Sequence, residues 1–394
     1  MSPTVDSQRP SLRRLHTPAA LGYVAVALLF AWPLPLHLFD ALPGSPSGDT
    51  GVYVWNLWVF RHQIVEHHTL PFTTLEILNL DPPAVPLALH NYTTIANLLA
   101  FPLIGLVGTV AAFNLLTIGT GALTAYAMFL YALKRTGDAA AAFAGGLLFG
   151  FNPFMIARST EHFSLAQAAP LPIFGLLMLM IFQNPSPRLA AYAGLVVAWA
   201  YLSDPYYAVY CLLIALFMVG YSVVAVERRP EPVRRIWWTA VVNLLMICVF
   251  GLILGIALRG GGRVEMFGLR ISVTRLYTPV LVFTLLAAVR LCMGIRTRVR
   301  WRPVFRQAHL RAAAVAGLFC VVALAPVIVA MAAPGGSGMW KGPRVWWRSS
   351  APGIDMAAWI IPNPYNPWFG PPGADWLARL PNGFVENVAS VPWV

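Results

Sequence analysis

Apolar runs of about 18 residues or more recur along the chain, from Leu21–Leu38 near its start to Ala312–Ala333, and a run of that length suits a helix crossing the roughly 30 Å hydrocarbon core of a bilayer. A sequence that is 58% hydrophobic and 11% charged has too few polar side chains to cover a water-soluble surface. The chain therefore reads as an all-α polytopic membrane protein. Its net charge of +12 does not point to nucleic acid, because the arginines and lysines fall in short clusters between apolar runs, the arrangement of cytoplasmic loops. No small-x-small site follows Leu21–Leu38 cleanly, so that run is read as a retained first span and not as a cleaved signal peptide.

Charge asymmetry sets the orientation. Residues 1–17, with Arg9, Arg13 and Arg14, read as a cytoplasmic tail; residues 18–333 as the transmembrane domain, with an outer loop at 39–92; and residues 334–394 as an outer segment rich in Trp, Pro and Gly. The apolar stretch Thr93–Leu133 ends in Lys134-Arg135, which belong inside. Thr93–Val107 is accordingly expected to be a juxtamembrane or re-entrant helix and Val110–Leu133 the second span. Further spans are expected at about Ala139–Phe154, Leu165–Phe182 and Leu189–Leu202. A sixth ends in Glu227-Arg228-Arg229, and Ile236–Leu258, Tyr277–Met293 and Ala312–Ala333 follow. The total is about nine, or more, since the chain is expected to continue past Val394. The loop holding Arg259, Arg263, Arg270 and Arg275 falls outside and departs from the charge rule.

This topology sorts the carboxylates. Asp40, Asp49, Glu66, Glu76, Asp81, Glu161, Asp204, Glu265, Asp355, Asp375 and Glu386 fall on the outer side, whereas Asp6, Asp138, Glu227 and Glu231 fall inside. Acid-base or metal chemistry is therefore expected on the outer face. The stretch Pro43–Tyr92 is its first candidate, with Gly48-Asp49-Thr50-Gly51, Asn56, Arg61-His62, Glu66-His67-His68, Glu76, Asp81-Pro82-Pro83 and His90-Asn91-Tyr92.

Asp49 stands before the aromatic run Val52–Phe60, which has the pattern of a helix lying in the membrane interface. It reads either as the N-cap of that helix or as a catalytic carboxylate approached closely because glycines flank it. Arg158, Glu161 and His162 are placed in the outer turn after the third span, and Asp204 in the turn after the fifth. Ionisable residues beside a membrane are functional candidates, with solvation at the interface as the plain alternative. Arg61, Arg158, Lys341, Arg344 and Arg348 are candidate cations for a phosphate, or anchors among lipid headgroups. His67, His68 and His90 with Glu66 lack an HExxH-like spacing and read as solvated loop residues. Trp340, Trp346, Trp347, Trp359 and Trp368 read as an interfacial belt or as sugar-stacking platforms. Cys211, Cys248, Cys292 and Cys320 lie in apolar runs without ligand spacing and are read as inert core thiols.

Gly48-Asp49 with its aromatic helix, Leu80-Asp81-Pro82-Pro83, Phe113-Asn114-Leu115-Leu116, Ala144 through Pro153, Asn363-Pro364 and Asn366-Pro367 together resemble the bacterial GT-C superfamily of integral-membrane glycosyltransferases. The resemblance implies an inverting transferase in the bacterial inner (cell) membrane. It would take sugar from a polyprenyl-phosphate donor and pass it to a glycan, lipid or protein acceptor on the outer face. It implies Asp49 as the catalytic residue. Asp81, His90, Arg158, Glu161, His162 and Asp204 are the candidates for substrate binding that the outer-side residues themselves offer. An Asp-Asp or Asp-Glu doublet is missing at Asp49, so the sequence names no metal and a divalent cation stays open. A phosphate leaving group calls for cationic neutralisation more than for a general acid, and the acceptor hydroxyl calls for a base. The competing readings are a transporter or flippase of lipid-linked saccharides, which calls for polar residues spread through the spans, and a membrane scaffold without catalysis.

Overall fold

The computed structural model describes residues 13–45, 48–76, 85–228, 236–259, 262–266, 269–273, 277–294, 297–302 and 307–332. Helices dominate, and the chain divides into two compact units, residues 1–218 with 305–394 and residues 219–304.

In the first unit the helices are α1 (Arg13–Phe30), α2 (Thr50–Val65), α3 (Thr94–Val107), α4 (Thr109–Thr136), α5 (Ala139–Gly150), α6 (Pro153–Glu161), α7 (Phe163–Ala166), α8 (Pro170–Gln183) and α9 (Pro187–Ser203). The strands β1 (Thr73–Thr74) and β2 (Val85–Pro86) pair antiparallel within the loop after α2. α10 (Pro205–Val223) leads out of this unit. The first helix stops at Phe30, short of the expected Leu38, because Pro33 and Pro35 cannot donate and disfavour helix before them. A short 3-10 turn at Leu34–His37 follows.

The break expected after Val107 is present. Gly108 takes φ +82°, a left-handed value that glycine adopts without a Cβ penalty, and it separates α3 from α4. At 14 residues, α3 is about 21 Å long, short of a full crossing. At Asn152-Pro153 the chain also behaves as the sequence dictates. Asn152 caps α6 by accepting the Met155 amide hydrogen at 3.0 Å, and α5 and α6 meet at a 43° bend. The residues after this bend were expected in a turn. They instead continue as α6, because Pro at its first position is preorganised for helix.

Packing relies on small residues. A Cβ on Gly150 would lie 2.6 Å from the Ala125 side chain, and one on Gly194 would lie 2.1 Å from the Ala316 carbonyl oxygen. These glycines let α5 close onto α4, and α9 onto α13 (Gln307–Ala332), the helix that returns to this unit after the second one. Tyr23 anchors α1 to α5 by donating to the Phe143 carbonyl at 3.0 Å while its ring stacks on Phe143.

The second unit holds β3 (Val224–Arg228), α11 (Ile236–Arg259), β4 (Gly262–Met266), β5 (Leu269–Val273), α12 (Tyr277–Gly294) and β6 (Thr297–Trp301). α11 and α12 pack together, β4 pairs with β5 and β3 pairs with β6. The loop with its unexpected arginines is thus partly a hairpin, in which Glu265 stands opposite Arg270 in register.

By length and apolarity five helical segments among the described residues can cross a bilayer: residues 109–136, 163–183, 205–223, 237–256 and 307–332. The bent α5–α6 pair makes a sixth, and α1, α3 and α12 are apolar but shorter. Nine or more spans are therefore not reached on these grounds. Many large apolar side chains on these helices are exposed, including Leu216, Phe217, Ile247, Leu318 and Val329, as a lipid-facing surface requires. Cys248 and Cys292 are exposed among them and are not core thiols, because the apolar runs that carry them present those positions outward. Residues 334–394 of the expected outer segment, with their tryptophans, Lys341, Arg344 and Arg348, lie outside the described residues, as does Asp81.

Candidate functional site

α2 begins at Asp49, and the local chain explains why this carboxylate stands apart. Gly44 takes φ +90° and packs against the Thr160 carbonyl, where a Cβ would lie 2.0 Å from the oxygen. Thr50 donates its hydroxyl hydrogen to the same carbonyl at 3.0 Å. Gly48 lies flat against Glu161, whose Oε2 would be 1.8 Å from an added Cβ, and the Ser45 amide donates to Glu161 Oε1 at 3.2 Å. The segment before α2 is therefore clasped by the C-terminal end of α6.

Asp49 occupies the N-cap position, yet its side chain makes no capping hydrogen bond. Its Oδ2 instead lies 3.6 Å from His162 Nε2, and the carboxylate is 57% exposed. On the other side of that ring Arg158 Nη1 lies 3.1 Å from Nδ1. A guanidinium can only donate, so Nδ1 accepts and the ring hydrogen of this tautomer sits on Nε2, facing Asp49. Arg158 is 5% exposed, with its guanidinium carbon 5.3 Å from the centre of the Phe154 ring. An arginine buried in this way does not serve as a headgroup anchor.

Behind Asp49 lies a buried polar cluster. Tyr53 Oη is 3.1 Å from Ser164 Oγ, and Asn91 Nδ2 donates to both, at 3.3 and 2.9 Å. Asn56 Nδ2 in turn donates to the Asn91 carbonyl at 3.1 Å. Burial pushes the Tyr53 phenol above its ordinary range, while its bond to Ser164 pulls the other way and the nearby Asp49 and Asp204 carboxylates add to the rise. Tyr53 therefore stays a neutral hydroxyl. Asp204 is 3% exposed and accepts from the Tyr206 amide at 2.9 Å. It shares the electrostatic neighbourhood of Tyr207 with Arg158, and Tyr207 donates to the Leu165 carbonyl.

The structure thus brings together Asp49, Arg158, Glu161 and His162, with Asp204 buried and close enough for its charge to act on Tyr53. His90 is exposed beside the 3-10 turn Leu87–Leu89, and the residue after it, Asn91, is bonded into the polar cluster. The aromatic helix is present, but its apolar and polar faces are not segregated, since Asn56 and Gln63 are buried while Val52 and Trp58 are exposed. Those two polar residues face inward because they brace the loop. The sequence reading missed Tyr53, Ser164 and Tyr207, whose types are ordinary at membrane interfaces. Only their pairing across more than a hundred residues marks Tyr53 and Ser164.

The cluster lies at one end of the helices. Phe113, near the start of α4, packs on Phe163 at 5.0 Å, and Asn114 donates to the Leu38 and Ala41 carbonyls, both at 2.8 Å. Lys134 and Arg135 close the other end of α4, about 30 Å away by helical rise. Likewise Asp204 follows the last residue of α9, whereas Arg188 sits in its first turn. α6 also borders an apolar crevice lined by Ala27, Ala31, Ile118, Phe151, Met155 and Ile156. One short helix therefore carries Arg158 and Glu161 toward the charged cluster and Met155 and Ile156 toward an apolar groove.

A second group of chemistry-bearing side chains lies at the far end of α2, where His62, His67 and Glu76 converge. Among the described residues this is where three metal-ligating atoms come together. His67, read from sequence as a solvated loop residue, is therefore partnered, and its partners His62 and Glu76 are not the residues the sequence set beside it. No family profile, characterised protein or solved structure matches the chain, so the reading of both sites rests on their geometry and chemistry.

Proposed function

We propose that the chain is an inverting membrane glycosyltransferase, with a polyprenyl-phosphate sugar as donor and an acceptor hydroxyl at the outer face of the bacterial inner membrane. The observation that supports this most is the Asp49 carboxylate, uncommitted to its cap and 3.6 Å from His162 Nε2, at the end of a helical bundle and beside α6, the helix that also borders an apolar groove. An amphipathic donor needs such a pair of surfaces. In the proposed step Asp49 takes the proton of the acceptor hydroxyl as the acceptor oxygen bonds to the sugar's anomeric carbon. The bond from that carbon to the phosphate oxygen breaks, and the electron pair leaves with the polyprenyl phosphate. His162 orients Asp49 through Nε2–H, and Arg158 holds the His162 tautomer. Glu161 and Asp204 shape the site, and Asp81 and His90 remain candidates for contact with substrate.

In this reading α1, α4, the α5–α6 pair, α8, α9, α10, α11, α12 and α13 are the spans, about nine in all, and α3 is juxtamembrane. Incubating the purified protein with radiolabelled polyprenyl-phosphate sugars and candidate acceptors tests the activity. Transfer should fall about 100- to 10,000-fold in Asp49→Asn. A second reading, transport or flipping of lipid-linked saccharides, is favoured by the bend between α5 and α6, since broken helices line transporter sites. It would move the labelled lipid intact across a vesicle membrane and leave the sugar–phosphate bond uncut.

A further inference from the structure

We propose that His62, His67 and Glu76 bind a zinc-type divalent cation. His62 Nε2 and His67 Nε2 are 3.2 Å apart, and each lies 3.5 Å from Glu76 Oε1. Zinc holds imidazole nitrogen at about 2.0–2.1 Å and carboxylate oxygen at about 2.0–2.2 Å, mostly in tetrahedral sites. The edge of a tetrahedron with arms of that length is about 3.3–3.5 Å. The triangle of donor atoms therefore already has the dimensions of one face of a tetrahedral zinc site, and the cation would sit just off its centre with water as fourth ligand.

The surrounding chain builds this triangle and keeps it in place. His62 lies in the last turn of α2, its ring stacked on Trp58 at 4.7 Å, and the amides of Glu66 and His67 donate back to its carbonyl. His68 takes φ 53°, a left-handed value that reverses the chain there. Gln63, buried one residue after His62, accepts from the Thr69 hydroxyl with its backbone and side-chain oxygens and donates Nε2 to Thr74 Oγ1 at 3.3 Å. Thr74 Oγ1 also accepts the Glu76 amide hydrogen at 3.0 Å. One side chain thus fixes both the turn that delivers His67 and the strand end that delivers Glu76. Two imidazoles and one carboxylate favour zinc and its transition-metal neighbours over Mg2+ or Ca2+, which take oxygen ligands.

This site is separate from the Asp49 cluster. His62 lies thirteen positions along α2 from Asp49, placing their backbones about 20 Å apart. The cation would act as a clip joining the end of α2 to the strand that follows, and this holds whether or not the chain transfers sugar.

The test uses tag-free, full-length protein in detergent, stripped with a chelator and then given Zn2+, Co2+ or Mg2+ alone. One equivalent of zinc by elemental analysis is expected, with a rise in Tm that the chelator reverses and that Mg2+ does not reproduce. Co2+ should give the visible absorption of a tetrahedral site. His67→Ala and Glu76→Gln should each weaken zinc binding by more than the roughly 10- to 100-fold that losing an outer-shell partner costs. His67 and Glu76 are exposed, so these variants leave the core intact, and His68→Asn, which keeps a left-handed residue, should bind as the parent does. A stripped protein whose Tm ignores zinc would overturn the proposal, as would zinc binding that survives in both His67→Ala and Glu76→Gln.

Discussion

Asp49 Oδ2 faces His162 Nε2 across 3.6 Å, while the backbone amides at the start of α2 receive nothing from the Asp49 side chain. The position is that of a cap, but the contact is with a histidine ring. Loss of a working N-cap costs about 1 kcal/mol, but that term is absent here. Asp49→Ala should therefore change stability by less than about 0.5 kcal/mol, the ordinary range for surface substitutions. On the proposed function, Asp49→Asn should likewise leave Tm unchanged while transfer falls about 100- to 10,000-fold. Tm measured beside single-turnover transfer decides, and a variant that keeps near-parental transfer would remove Asp49 from the chemistry.

Two glycines in the same loop should separate stability from activity. Gly44 has φ +90° and meets the rigid Thr160 carbonyl, so Gly44→Ala should destabilise by about 1–3 kcal/mol. Gly48 meets only the end of the Glu161 side chain, which can swing away. Gly48→Ala should keep its Tm, displace Glu161 from the Ser45 amide and lower transfer. Equal losses of Tm in the two variants would contradict this account.

At the Gly194–Ala316 contact the backbones of α9 and α13 touch, since an added Cβ would meet the Ala316 carbonyl oxygen at 2.1 Å. Gly194→Val should force the helices apart and cost at least the roughly 1–3 kcal/mol of overpacking. The Gly220 position has open space around it, so Gly220→Val serves as the control with little change in detergent melting temperature.

Sidedness can be read by cysteine labelling. A cysteine at Ser47 should react from outside intact cells, and cysteines at Thr136 and Thr297 only after permeabilisation. Outside labelling at Thr136 would put the Phe113 end of α4, and the Asp49 cluster with it, on the inner side.

Local signals made part of this legible from sequence. Asn152-Pro153 marked the end of a helix, the charge at Lys134-Arg135 set α3 apart from the span α4, and Gly48-Asp49-Thr50-Gly51 marked the head of α2. Each of these acts within a few residues, through backbone sterics or the cost of placing charge in lipid. What stayed hidden depends on contacts between distant segments. Arg158 looked like a headgroup anchor because its burial depends on helices that approach from elsewhere in the chain. His62 and Glu76 are fourteen residues apart with no recognisable spacing, and only the turn at His68 and the Gln63 brace bring them to one point. The inward-facing Asn56 and Gln63 also blurred the periodicity of α2, because a polar brace on a buried face cancels the alternation that marks an amphipathic helix.

α13 joins α9 only after the intervening unit, residues 219–304, has been made. At synthesis rates of about 5–20 residues per second, that interval is on the order of ten seconds. Throughout it, the small-residue groove around Gly194 has no partner from its own chain. The nascent protein therefore has a defined period in which a foreign helix could occupy that groove.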